Sequence, residues 1–328
     1  MRIYLLYNST ERPWGGINTF FRNFRREAEL CEEVKIVSSA PDADIILTSG
    51  HYSGPGKLLT SAALKNISLG RHPLHPFGFL PGKGKPAIVF RLDGLRMFYT
   101  GRRTKADDLL LKNLSLADAV VFQSGHCRNI FESMKVSRPE TESTILNGAD
   151  ESVFYPLNSF PEKIARPIRL IACSWSRDKT KGFEKVAQFA EIDGIEVSHI
   201  GRWSATIPPG KVKLLGVKQE KETAEIMRNS HFLLFPSEND ACPNIVVEAL
   251  ASGIPVLYHN SGGTPELCGN GKYGISIPEN PANFADFINN AEKQYPSLRK
   301  NIMKNIETFS FKRCFNEYIE FFRSIIEN

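Results

Sequence analysis

Short apolar runs separated by turn-forming or amphipathic stretches recur along the chain. Residues 2–7, 34–37, 44–48, 87–90, 119–123 and 144–147 have the length and continuity of strands buried on both faces. Between the first two, Gly15-Gly16 open a helix whose Ile17, Phe20, Phe21 and Phe24 share one face. The rhythm restarts with 168–173, 196–200, 212–215, 232–235, 254–258 and 274–277. Strands alternating with helices twice over predict an α/β protein with two parallel sheets. Residues 71–86 are Pro/Gly-rich and read as loop. After Ser310, Phe311, Phe315, Tyr318, Phe322 and Ile325 make one apolar stripe of a last helix.

The chain has 328 residues, enough for two domains, and its 41% hydrophobic and 23% charged content is globular. Cys31, Cys127, Cys173, Cys242, Cys268 and Cys314 stand singly, with no C-x-x-C pair, which argues against a zinc site or a disulfide framework and fits a reducing cytosol. The apolar run at 3–7 is too short for a signal sequence, and no run reaches membrane-spanning length. The net charge of +5 is uneven: residues 57–112 hold eleven Lys or Arg against Asp93, Asp107 and Asp108. Such a surplus suits an anionic partner or a solvated basic surface; no nucleic-acid module is evident.

Residues 230–269 carry the densest chemistry. They read as strand, polar loop, helix, strand, glycine loop, helix, with Pro243 tolerated in a first turn and Gly253 as a stop. The helix bears Ile245, Val246, Val247, Ala249, Leu250 and Ala251, so Glu248 is expected to be buried, at a cost unless donors meet it. Asn244, Glu248 and Ser252 share one stripe, and Asp240 precedes them in the loop. Both acids fall at the carboxyl edge of a strand, where open α/β sheets bind ligands. Gly262-Gly263 before Thr264 would present bare amides to a phosphate. An acid for hydroxyls beside glycines for phosphate suggests a sugar nucleotide.

This block resembles the donor-site signature of retaining GT-B glycosyltransferases of family 4, here as Asp240-x7-Glu248, Ala249, Gly253-Ile254-Pro255-Val256 and Gly262-Gly263-Thr264-Pro265-Glu266. Asp240 stands where the family has Glu, and Glu238 has the wrong spacing to replace it. The likeness extends to Lys181-Gly182, to the turn Arg91-Leu92-Asp93-Gly94, to residues 117–131, and to a strand and linker at 144–156. It implies two Rossmann-like domains with parallel sheets facing a central cleft: an acceptor domain over 1–158, a donor domain over 159–308, and a helix over 309–328 returning to the first.

The resemblance also implies roles. Glu248 would hold the nucleotide ribose and Asp240 the donor sugar. Lys181, with Arg177 or else Lys179, and the amides at Gly262, Gly263 and Thr264 would hold the diphosphate, with Asn244 nearby. Gly15 and Gly16 would lie on the acceptor side, and Asp93 would stand where many members place a His. The expected reaction transfers a hexose from a UDP- or GDP-sugar to a glycan or lipid-linked acceptor, with retention, domain closure, and neither cofactor nor metal. The expected setting is the cytoplasm, with an anionic membrane face as a further partner. A sugar-nucleotide epimerase, a phosphorylase or an inactive glycan-binding relative shares this architecture, although no pyridoxal-bearing lysine motif for a phosphorylase is evident.

Overall fold

The computed structural model describes residues 1–11, 15–69, 85–157, 159, 161 and 163–327. Contacts divide the chain into two units. One is 1–146 together with 314–328, and the other is 147–313. Each is built on its own parallel sheet.

The first sheet comprises β1 (Arg2–Leu5), β2 (Lys35–Ile36), β3 (Ile45–Thr48), β6 (Ala87–Leu92), β7 (Ala119–Phe122) and β8 (Glu142–Thr144), in the order β2-β1-β3-β6-β7-β8. A small antiparallel hairpin, β4 (Tyr52–Gly54) with β5 (Lys57–Leu58), follows β3. Five of the six sheet strands match their apolar runs. The sixth pairs two residues earlier than 144–147 suggests, because Val120, Val121 and Phe122 register with Glu142, Ser143 and Thr144. Phe20, Phe21 and Phe24 of the helix Gly16–Leu30 are buried. The Tyr7 ring stacks on Phe21 at 4.9 Å, and Phe24 meets Phe315 of the last helix at 5.0 Å. Tyr318 packs on Phe20 at 5.2 Å, and Phe322 is fully enclosed. Aromatic pairs at these separations add roughly 1 kcal/mol each beyond simple burial. They fasten residues 314–327 to the first unit.

The second sheet comprises β9 (Ile168–Ser174), β10 (Ile195–Gly201), β11 (Lys213–Gly216), β12 (Phe232–Phe235), β13 (Val256–Tyr258) and β14 (Gly274–Ser276), ordered β11-β10-β9-β12-β13-β14. The order reverses on either side of β9, so the loops after β9 and β12 emerge side by side at the sheet's carboxyl edge. That edge is where a doubly wound sheet opens a crevice. Beneath it, Leu170, Val197, Phe232, Leu234 and Leu257 pack with Phe189 and Phe284, whose rings stack at 4.2 Å.

Two histidines are embedded in this unit. His199 is 2% exposed and lies edge-on to Trp203 at 5.0 Å; burial pulls its pKa down to about 4. His231 accepts the Arg169 N–H at Nδ1 (3.0 Å), and burial likewise pulls it down to about 4, with Arg169 adding to the effect. The unfolded chain therefore binds protons at these sites that the folded unit refuses. Their stabilising effect is complete above the ordinary value of 6.5 and is lost as pH falls toward 4. Replacing His199 by Leu is expected to flatten the acid limb of a denaturation profile between those limits. The size expected is on the order of 3 kcal/mol. An acid limb identical in the variant and the parent would contradict this.

Candidate functional site

Three loops meet at the carboxyl edge of the second sheet. The loop after β9 (175–182) carries Arg177 and Lys181, the loop after β12 (236–243) carries Asp240, and the loop after β13 (259–263) carries the glycine pair. Their main chains are fastened to one another. Glu238 N–H donates to Thr180 O (2.8 Å), Gly263 N–H to Asp240 O (2.8 Å), and Asn239 N–H to Ser261 Oγ (2.9 Å). Gly262 has φ +66, and a β-carbon there would stand 2.3 Å from Asp240 O. Gly182 has φ +70, and a β-carbon there would stand 2.7 Å from Pro236 O. Only glycine permits both the left-handed turn and such an approach.

These contacts bring Lys181 to Asp240. Its Nζ lies 3.1 Å from Asp240 Oδ2 and 3.2 Å from Ser237 Oγ, and both charged side chains are about a quarter exposed. A part-exposed pair of this kind adds about 1 kcal/mol or less to stability. Its interest is therefore chemical: an ammonium and a carboxylate are held ready at a solvent-reachable edge. Asp240 is half-buried, as are Glu238 and Asn239.

Glu248 departs from the expectation of burial. In the helix Asn244–Ala251 the buried side chains are Val246, Val247, Ala249, Leu250 and Ala251, while Asn244, Ile245 and Glu248 are half-exposed. At ~100° per residue these three fall within about a third of a turn, so the helix has one open stripe rather than apolar cover all round. Ser252, placed on that stripe by spacing, is fully buried instead. Burial pushes the Cys173 thiol up, the Glu248 carboxylate adds to the rise, and Lys181 opposes it, so both charges lie within electrostatic range of one sulfur at the end of β9. Asn244 Oδ1 accepts from Asn147 Nδ2 at 2.8 Å.

Arg177 is exposed on the loop that carries Lys181. The Thr264 side chain is wholly enclosed, and its Oγ1 has no hydrogen-bond partner among the described residues; the expectation for this residue concerns its main-chain N–H. Sequence reasoning missed Ser237, His259 and Ser261, which support the loops. Their only signal was position, just past an apolar strand.

A second polar cluster occupies the carboxyl edge of the first sheet. Asp93 follows β6, and its carboxylate takes hydrogen bonds from Arg91 and from Gln123, which follows β7. Tyr99 Oη donates to Asp93 O at 2.6 Å. Arg91 is fully buried and lies over the Phe20 ring at 4.1 Å. Burial raises the Asp93 pKa, against the opposing pull of Arg91, His51 and Gln123. Burial lowers that of His51, an enclosed residue three positions past β3 whose Nδ1 faces Ser49 O at 2.7 Å. Tyr7, past β1, is pushed up to about 12 by burial and then by the Asp93 charge. Four neighbouring strands thus deliver Tyr7, His51, Asp93 and Gln123 to one place. The sequence pointed only to Asp93. Gly15 and Gly16 are exposed at the start of their helix, next to residues 12–14, which lie outside the described set.

Of the three acids in the basic stretch 57–112, Asp93 is engaged with Arg91 and Asp107 caps a helix at Thr104 while accepting Arg96 N–H (2.6 Å). Arg96, Arg102, Lys105 and Lys112 stay exposed. Arg71, Lys83 and most of the 71–86 loop lie outside the described residues. No described helix is long and apolar enough to cross a membrane.

Residues 204–309 match the family model described as glycosyl transferases group 1, a span containing Asp240, Glu248, Gly262 and Gly263. A curated protein described as an uncharacterized glycosyltransferase, MJ1178 of Methanocaldococcus jannaschii, is 31% identical over 121 residues, which is 35% of this chain and 33% of that one. The match thus spans about a third of that relative. Among solved structures, a sucrose-phosphate synthase from Thermosynechococcus elongatus superposes with a TM-score of 0.72 at 15% identity, covering 99% of each chain. Alr3699/HepE of Anabaena in complex with UDP superposes with a TM-score of 0.69 at 15% identity, covering 98% of this chain and 99% of that one. The fold is GT-B, with a parallel six-stranded sheet in each unit.

The Gly262 turn offers a direct check. Gly262→Ala is expected to destabilise the protein by roughly 1–3 kcal/mol, from the left-handed φ and the collision with Asp240 O. Denaturant unfolding reads this, and unchanged stability would show that the two loops are not held together as described.

Proposed function

We propose that this protein is a retaining glycosyltransferase that moves a hexose from a UDP- or GDP-sugar to an acceptor hydroxyl. The observation that carries the proposal is the meeting of Lys181, Asp240 and the Gly262-Gly263 turn at one sheet edge, with Glu248 and Lys181 both within electrostatic range of Cys173, most of it within the stretch that matches glycosyl transferases group 1. The HepE structures, one with UDP and another with UDP-glucose, show a protein of this fold taking such a donor.

The roles follow from the chemistry of the groups. Glu248, on the open stripe of its helix, accepts hydrogen bonds from the ribose hydroxyls. Asp240 accepts from hydroxyls of the transferred sugar, and Lys181 moves its ammonium toward the diphosphate. In transfer, the bond from the anomeric carbon to the phosphate oxygen breaks and a bond to the acceptor oxygen forms. The acceptor proton passes to the departing diphosphate, whose new charge Lys181 and the loop amides stabilise. Arg177, exposed on the loop that carries Lys181, adds a second cation for the diphosphate. The first unit supplies acceptor contacts around Asp93. Its exposed Arg96, Arg102, Lys105 and Lys112 favour a phosphorylated or lipid-linked acceptor, or an anionic membrane face.

A thermal-shift screen of UDP, GDP, ADP and CMP tests the donor class: UDP or GDP should raise the melting temperature, and no response to any of the four would overturn the proposal. Calorimetry on Glu248→Ala should show affinity for the stabilising nucleotide falling roughly 10- to 100-fold, the range for a hydrogen bond to a charged group. Unchanged affinity would remove Glu248 from the ribose site. Lys181→Ala should slow transfer by about a hundredfold with a smaller change in donor KM, and the reverse pattern would assign Lys181 to ground-state binding.

A further inference from the structure

A chain of side-chain hydrogen bonds runs behind the donor loops without touching the groups assigned to the donor. Lys185 Nζ lies 2.9 Å from Glu279 Oε2, Glu279 Oε1 lies 3.0 Å from His259 Nε2, and His259 Nδ1 lies 2.8 Å from Ser261 Oγ. Ser261 Oγ then accepts Asn239 N–H at 2.9 Å. Its members stand on three carboxyl-edge segments of the second sheet, with His259 and Ser261 sharing the loop after β13, and on the helix that follows Gly182. The last member is the residue immediately before Asp240.

The donors and acceptors fix the polarity of this chain. The Glu279 carboxylate can only accept, so His259 Nε2 carries a proton toward it; in the neutral imidazole Nδ1 then accepts the Ser261 hydroxyl proton, while Ser261 Oγ accepts Asn239 N–H. Asn239 holds a left-handed φ of +55, which Asn tolerates better than most residues but which still needs external support. The Ser261 hydroxyl supplies it, and without His259 that hydroxyl is free to rotate.

We propose that His259 is a positioning residue of the donor site. By orienting the Ser261 hydroxyl it holds the Asn239 turn, and so it sets where Asp240 presents its carboxylate and its carbonyl to Lys181 and Gly263. This rests on the donor-site reading above. The outer links contribute less: Glu279 is 73% exposed, and its pairs with Lys185 and His259 are screened by water.

The test uses His259→Leu, His259→Asn and Ser261→Ala in the full chain, with two readouts. The first is hydrogen exchange at the Asn239 amide in the nucleotide-free protein. The second is calorimetric titration with UDP and with GDP. Ser261→Ala and His259→Leu should speed exchange at Asn239 and weaken nucleotide binding roughly five- to tenfold, the worth of one hydrogen bond. His259→Asn, whose amide oxygen falls near the Nδ1 position, should stay within about twofold of the parent. Parent-like exchange and affinity in His259→Leu would overturn the positioning role alone. Equal impairment of the Leu and Asn variants would overturn it too, since loss of ring packing would then explain both. A parent protein that binds neither nucleotide would bring down the donor-site reading, and this proposal with it, whatever the exchange data show.

Discussion

The main chain of Asp240 rests against that of Gly262 and Gly263 with no space for a side chain between them. Much of the second unit's chemistry follows from that contact. It forces the loop after β12 and the loop after β13 to act as one body. The contact of Gly182 with Pro236 and the Glu238–Thr180 hydrogen bond add the loop after β9 to the same body. Three strands lying side by side in the sheet therefore present one continuous rim. Lys181 reaches Asp240 because the loops that bear them are tied at the backbone, and the ion pair follows from that tie rather than creating it. A pair that is about a quarter exposed is too weak to hold three loops together.

The first unit is organised differently, around a charge taken out of water. Arg91 is wholly enclosed, at a cost of several kcal/mol for an unpaired ion. Asp93 and the face of Phe20 offset that cost, and Gln123 donates to the same carboxylate oxygen as Arg91. Desolvation pulls Asp93 toward its neutral form while Arg91, His51 and Gln123 pull it toward its charged form. A carboxyl poised between such opposed influences beside a neutral histidine suits hydroxyl recognition.

Much of the architecture is legible in the sequence, because strands buried on both faces must be continuous apolar runs and helices between them must show a periodic face. The glycine pair and the Asp240–Glu248 spacing are legible for a similar reason: their geometry is local. The burial of Glu248 was misjudged because composition does not reveal which third of a helix its neighbours leave uncovered; Asn244, Ile245 and Glu248 share that third. His51 and His259 are not legible because what they act on lies on another strand or loop. Asn239 and Ser261 stand 22 positions apart, and His51 meets Asp93 only once β3 and β6 are paired.

The central claim is that the tied loops after β9, β12 and β13, with the open stripe of the helix Asn244–Ala251, form a nucleotide-diphosphate site within the second unit. Amide resonances of isotope-labelled protein titrated with UDP and with GDP test it most directly. The account requires saturable shifts concentrated at 179–182, 238–248 and 261–264 with one of the two nucleotides. Shifts confined to other surfaces, or none with either nucleotide, would contradict it.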